Sequence, residues 1–347
     1  YVLVVNEFLR SFMLSIRTFS VTVVKKSLVS FLILGSLVSA TVLAAEKEHP
    51  YADLPSGQLL GQPFVLDPSL PPGKNFDLLD WYLTLPVDTN KDDKADIIPE
   101  QFLDKGFTLS PLFYTADDGG MVLLSPNYGA TTSKNTKYVR TELREMLRRG
   151  DTRVKVQGVN KNNWVFGSMH FSGQKKAGGV DGSLEATLAV NRVSTTGDEK
   201  KVGRVIIGQI HAIKDEPIRL YYRKLPQNDL GTLYFAHEIN GADDVWYNII
   251  GSRSHTAKAP ENGIPLGEKF SYKITVEKDD LYVTIIREGH ENITKHVDMS
   301  DSGYHISNQY MYFKAGVYNQ NNTGDENDYV QATFYHLKNS HKGYDDE

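Results

Sequence analysis

The 347-residue chain contains no cysteine. That absence excludes a disulfide framework, a Cys-ligated zinc and a thiolate nucleophile. Zinc-binding helix motifs are missing too, since His237-Glu238 is followed by no second histidine at the required spacing. Tryptophan is scarce, at three residues against 19 tyrosines. Positive charge is in deficit, with 38 Lys and Arg against 43 Asp and Glu, for a formal net charge of −5. A general nucleic-acid binder is thereby excluded, and any polyanion must be held by a local basic patch. Helical periodicity is weak, residues 99–103 being the best short candidate.

Long apolar runs are absent except for residues 28–43. Lys25 and Lys26 precede this run, and Ala44 and Ala45 close it before Glu46, which is the layout of a secretory leader. The run is short for a membrane span of ~20 residues. Residues 1–45 are therefore expected to be a signal peptide, with a secreted or periplasmic product that has no membrane association once the leader is removed. Because the chain begins at Tyr1, Met13 is the expected start. Loss of the leader removes Arg10, Arg17, Lys25 and Lys26 against Glu7, leaving the remainder more acidic still. Residues 46–75, polar and with Pro and Gly, read as a linker or an ordered N-terminal arm across the fold. Residues 76–347 show no second linker or repeat and read as one domain, expected to act as a monomer.

What fills that domain is a series of short alternating segments broken by turn residues. They fall at 121–125, 164–171, 183–191, 205–212, 219–224, 231–237, 270–277, 281–287, 310–318 and 329–337. Asp279-Asp280, Gly178-Gly179 and Asn240-Gly241 mark turns between them. This pattern predicts an all-β protein, a β-sandwich of jelly-roll type with a concave groove on one face.

Three segments share a two-sided design: residues 138–147 (YVRTELREML), 204–212 (RVIIGQIHA) and 310–320 (YMYFKAGVYNQ). Residues two apart on a strand face the same way. One face therefore collects Arg140, Glu142 and Arg144, then Gln209 and His211, then Tyr312, Lys314, Tyr318 and Gln320. The opposite face collects Val139 and Leu143, Ile206 and Ile210, and Met311, Phe313, Ala315 and Val317. The polar face reads as a groove for an anion.

These blocks, together with residues 80–87 (DWYLTLPV) and 221–226 (YYRKLP), resemble the alginate lyases of polysaccharide lyase family seven over nearly the whole domain. The resemblance implies a secreted lyase that cleaves a 1,4-linked uronate polymer of mannuronate, guluronate or both by β-elimination, endo-acting and without a required cofactor. Alginate, an anionic polysaccharide, is the implied partner. Such chemistry removes the C5 proton, alpha to a carboxylate, and expels the oxygen at C4. It needs donors on the carboxylate, a base near C5 and an acid near the leaving oxygen.

Arg140 offers a fork of donors and Gln209 an amide for the carboxylate. His211, with an ordinary pKa of ~6.5, suits the base, and Tyr318, at ~10, suits the acid. The resemblance assigns the same four positions as catalytic. In the family, Tyr takes both roles where proton and leaving group share one side of the ring, and His takes the base role where they lie opposite. Glu142, Arg144, Tyr312, Lys314 and Gln320 are candidate substrate contacts, Glu142 and Arg144 also reading as a self-supporting row. The resemblance further associates Ile210 with acceptance of guluronate.

Two other functions fit a jelly roll. A glycoside hydrolase needs paired carboxylates flanking the bond, and Glu142 and Glu145 fall on opposite faces. A non-catalytic polyuronate-binding module would present aromatic platforms, which three tryptophans supply poorly. No metal is expected. Asp88, Asn90 and Asp92 match the first, third and fifth positions of a calcium loop, but Asp93 and Pro99 stand where its Gly and Glu belong, so a polar surface loop is expected there.

Overall fold

The computed structural model describes residues 54–344. The expected signal peptide and residues 46–53 of the arm lie outside the described residues. Strands β1 (Trp81–Leu85), β2 (Asp96–Ile98), β3 (Phe113–Thr115), β4 (Met121–Pro126), β5 (Arg140–Glu145) and β6 (Trp164–Val165) come first. They are followed by β7 (Gly179–Arg192), β8 (Arg204–His211), β9 (Ile218–Arg223), β10 (Leu230–Glu238), β11 (Asp244–Ile250) and β12 (Ile264–Pro265). The last five are β13 (Lys269–Glu277), β14 (Asp280–Arg287), β15 (Ile293–Asp298), β16 (Tyr312–Asn319) and β17 (Tyr329–Lys342). Three short helices complete the described elements: α1 (Pro72–Asn75), α2 (Glu100–Asp104) and α3 (Phe171–Gln174).

The strands form two mainly antiparallel sheets. One runs β11-β10-β9-β8-β16-β5-β1-β2, with β12 beside β10, and the other runs β15-β14-β13-β7-β17-β4-β3, with β6 parallel to β7. Sequence-distant strands are neighbours in both, as a jelly roll requires. Leu143, Ile207, Ile210, Phe313, Ala315 and Val317 of the first sheet pack with Leu188, Tyr272, Ile274 and Phe334 of the second in one buried core. Ile210 is thus fully buried between the sheets, and any influence on a ligand passes through packing.

Glu145 is also buried in this interior. Its carboxylate accepts from Asn339 of β17 at 2.7 Å and from the Phe313 backbone at 3.0 Å, and lies 2.7 Å from His341 Nε2 of β17. A buried carboxylate satisfied in this way ties the two sheets together. Glu142, three residues earlier, faces outward, so these acids are separated by the sheet and do not form the carboxylate pair of a hydrolase.

The described part of the arm crosses the outer side of the second sheet. The Leu60 backbone donates to Ser271 Oγ at 2.9 Å, and Thr187 Oγ1 donates to Leu60 O at 2.7 Å. Phe64 packs on Tyr335 at 5.7 Å.

Parity fails at one place in β8. Val205 and Ile207 enter the core, whereas Ile206 faces outward with Tyr221, Tyr234 and Tyr318. The register of β8 against β9 shifts between Ile206 and Gly208. An extra residue in this β-bulge returns Gln209 and His211 to the outer face. Gly208 is required there, because a Cβ would lie 2.8 Å from both Cζ and Oη of Tyr272, which hydrogen-bonds to Ile207 O at 2.9 Å.

Other differences are local. The segment 164–171 is a strand only at β6, after which His170 caps α3 by accepting from the Ser172 backbone at 3.3 Å. The hairpin turn after β13 sits at Lys278-Asp279, one residue earlier than expected, with Lys278 at φ +57. Strands β11 and β15 carry no clean alternation, being largely half-exposed edge strands.

Candidate active site

Strand β16 lies between β8 and β5, and register aligns their polar residues. Tyr312 pairs with His211, Lys314 with both Gln209 and Arg144, Gly316 with Glu142, and Tyr318 with Arg140. Three segments separated by about sixty and about a hundred positions of sequence thus build one patch in the middle of the sheet.

Glu142 is the hub of that patch. Its Oε2 accepts from Arg140 Nη1 at 3.0 Å and from Lys314 Nζ, and its Oε1 accepts from Gln209 Nε2. Burial acts to raise the Glu142 pKa, but Lys314 and Arg140 outweigh it and hold the carboxyl below its usual range. Lys314 is pushed down to about 8, first by burial and then by Arg140. Arg140 keeps an Nε without a hydrogen-bond partner among the described residues, and its guanidinium lies 3.5 Å above the Tyr318 ring. A buried, unpaired donor at a surface patch is suited to an incoming anion.

His211 is fixed on two sides. Its Nδ1 lies 2.6 Å from Ala212 O, and a carbonyl can only accept, which places the proton on Nδ1 and the free lone pair on Nε2. The ring stacks on Tyr312, with centroids 5.1 Å apart. Burial and then Lys314 push the imidazole down to about 3, so it is neutral at pH 7. Burial raises the Tyr318 phenol despite Arg140, so it keeps its proton there. The imidazole and the phenol therefore rest in opposite states, one able to accept a proton and the other to donate one.

The remaining expected contacts divide. Tyr312 and Lys314 belong to the patch. Arg144 is 0% exposed, donates to Asn163 Oδ1 at 2.5 Å and Val156 O at 3.0 Å, lies 4.0 Å over Tyr312 and keeps an Nε without a partner among the described residues. Glu142 is buried as well, at 1% exposed, and holds the two cations of the patch, while Arg144 lies against Tyr312. Gln320 lies one residue past β16; its side chain donates to Asn319 O, its N–H to Arg204 O, and its carbonyl accepts from Arg204 Nη2 at 3.0 Å. Gln209 is 1% exposed, with its NH2 tied to Glu142.

A second cluster, on the loop after β8 and on β9 to β11, escaped sequence reasoning. His211 Nε2 lies 3.2 Å from Glu216 Oε1. Arg219 Nη2 is 3.5 Å from Glu238 Oε2 and is paired with Asp244. Burial and a hydrogen bond with Glu216 push Glu238 up to about 8. A loop residue such as Glu216 obeys no face parity, so no periodic signal marks it.

In the acidic loop, Asp88 accepts from the Asp92 and Asp93 backbones, and Asn90 and Asp92 likewise cap neighbouring N–H groups. Their oxygens are thereby engaged in turns of the loop itself.

A guanidinium with a free donor, a neutral imidazole and a protonated phenol, on one face of a jelly roll, define a polysaccharide lyase. Comparison with known proteins agrees. A family described as "Alginate lyase" matches residues 76–341. An alginate lyase of Klebsiella pneumoniae is 56% identical over 279 residues, covering 78% of this chain and 91% of that protein. Its crystal structure superposes with a TM-score of 0.77, over 78% of this chain and 98% of that one. The family 7 alginate lyase A1-II', solved in complex with product, is 27% identical, with a TM-score of 0.57 over 79% of this chain and all of that chain. The chain belongs to the alginate lyases of polysaccharide lyase family 7.

Proposed function

We propose that the protein is an exported, endo-acting alginate lyase that cleaves 1,4-linked mannuronate or guluronate linkages by β-elimination. One observation carries the mechanism: a neutral His211 and a protonated Tyr318 share the outer face with the unpaired Arg140 donor, which lies 3.5 Å over the Tyr318 ring. Arg140, with Gln209 beside it, neutralises the uronate carboxylate and stabilises the enolate-like intermediate. His211 Nε2 takes the C5 proton. As the C4–O bond breaks and C4=C5 forms, the Tyr318 hydroxyl gives its proton to the leaving oxygen. The raised phenol favours this division of labour over a tyrosinate that serves as both base and acid.

Endo action is supported by the position of the patch on β8, β16 and β5, with strands of the same sheet continuing on both sides. Export is supported by the leader pattern of residues 1–45. Independence of a cofactor is supported by a residue set that supplies all three catalytic roles.

Alginate treated with the protein is expected to gain the ultraviolet absorbance of an unsaturated uronate, in chelator as in its absence. Tyr318→Phe and His211→Ala each lower that rate by about 10²–10⁴-fold. An unchanged rate in Tyr318→Phe overturns the mechanism. Size separation of products from polymannuronate and polyguluronate over time tests the rest: endo action releases intermediate lengths first, and monomer or dimer from the outset refutes it.

A further inference from the structure

Beyond Tyr318 the outer face continues as an aromatic strip. Cα partners run from Tyr318 to Ile206, Ile206 to Tyr221, and Tyr221 to Tyr234, and Trp246 packs 5.6 Å from Tyr221 and 6.0 Å from Tyr234. These residues form one apolar cluster on the face that carries His211. From β16 to β11 there are four strand spacings, roughly 19 Å at ~4.8 Å each.

The strip ends at a pocket of about 500 Å³ lined by Lys200, Arg204, Arg223, Trp246 and Arg253 among others. No carboxylate lines it. Glu199, outside the lining, has an exposed side chain paired with His255 at 3.5 Å. Arg223 is 4% exposed, and its Nη1 and Nη2 donate to Arg253 O at 3.0 Å and Glu199 O at 2.7 Å. Its Nε has no hydrogen-bond partner among the described residues. Arg253 lies 4.6 Å over the Trp246 ring, leaving a cation and an aromatic face side by side. In a chain of net charge −5, four cations around a cavity with a buried unpaired donor need an anion to answer them.

We propose that this pocket is a distal subsite that takes the carboxylate of a uronate residue several units from the scissile bond, with Trp246 and Tyr234 against the sugar ring. This rests on the polyuronate reading above. The pocket holds no group for proton transfer to C5 and serves binding alone, so its contribution grows with substrate length.

Two measurements test it. Trp81 and Trp164 are buried and Trp246 is not, so an added alginate octamer is expected to change the tryptophan emission of the Tyr318→Phe protein, and an alginate trimer is not. Arg253→Glu is expected to weaken octamer binding by about 10-fold or more. In the active protein, the kcat/KM of Trp246→Ala and Arg253→Glu falls by a similar factor for polymer, through KM, and stays near the parent value for short oligomers. Equal losses at all lengths, or an emission insensitive to the octamer, overturn the subsite. If no length yields an unsaturated product the elimination reading fails, and the emission titration still decides the pocket.

Discussion

His211 Nε2 and Glu216 Oε1 stand 3.2 Å apart, on the only face of the imidazole that carries its lone pair. A carboxylate at that distance favours the imidazolium over the neutral ring, and so supports His211 in the base role proposed for it. It opposes the effect of Lys314 and Arg140, which push the same ring toward neutrality. In Glu216→Gln the imidazolium loses this support, so the His211 pKa falls. The acid limb of kcat/KM is expected to move down by about 1 pH unit, with kcat reduced. A pH profile checks it, and an unmoved limb assigns Glu216 a purely structural place.

Glu238 stands against the same carboxylate and is raised to about 8. Its unfolded value is ~4.3. Between these values the folded protein holds a proton that the unfolded chain has released, so stability falls as pH rises through that window. Glu238→Gln removes this slope. Its melting temperature is expected to exceed that of the parent by about 2 °C or more at pH 8 and to match it near pH 4.

Glu142 behaves with the opposite sign. Its folded pKa lies below the unfolded one, so the stability it contributes is present above ~4.3 and is lost as pH falls through the folded value. Glu142→Gln leaves Arg140 and Lys314 buried without a counter-charge, at a cost of about 3–5 kcal/mol. Urea unfolding at pH 7 is expected to show that loss, and the variant to lack part of the parent's acid sensitivity.

Gly208 tests the bulge. In Gly208→Ala the new methyl meets the Tyr272 ring, and a loss of about 1–3 kcal/mol is expected from overpacking. Because the bulge aims Gln209 and His211, activity per folded molecule falls as well. Full activity with reduced stability separates the packing role from the aiming role.

The polar face of β5 and β16 was legible because alternation is a property of the backbone: once a strand is recognised, Arg140, Glu142, Lys314 and Tyr318 have no choice of side. The same rule misplaced Ile206, since a bulge adds one residue and reverses parity on one side of it. Gly208 is the one local mark of that event. What each polar group does was less legible. Arg144 and Arg140 share a strand and a face, and each keeps an unpaired Nε, yet Arg144 is enclosed by Val156 and Asn163 of the loop that follows β5 while Arg140 lies over Tyr318. Partners from loops also explain why Glu216 and Glu238 went unseen.

The hub around Glu142 has a charge stoichiometry. Arg140 and Lys314 bring two positive charges against the one negative charge of Glu142, and Glu216 beside His211 acts on both cations from outside the hub. A neutral sugar in the same place leaves the Arg140 Nε unanswered. As pH passes about 8 and Lys314 gives up its proton, the hub loses one positive charge and its hold on an anion falls to Arg140.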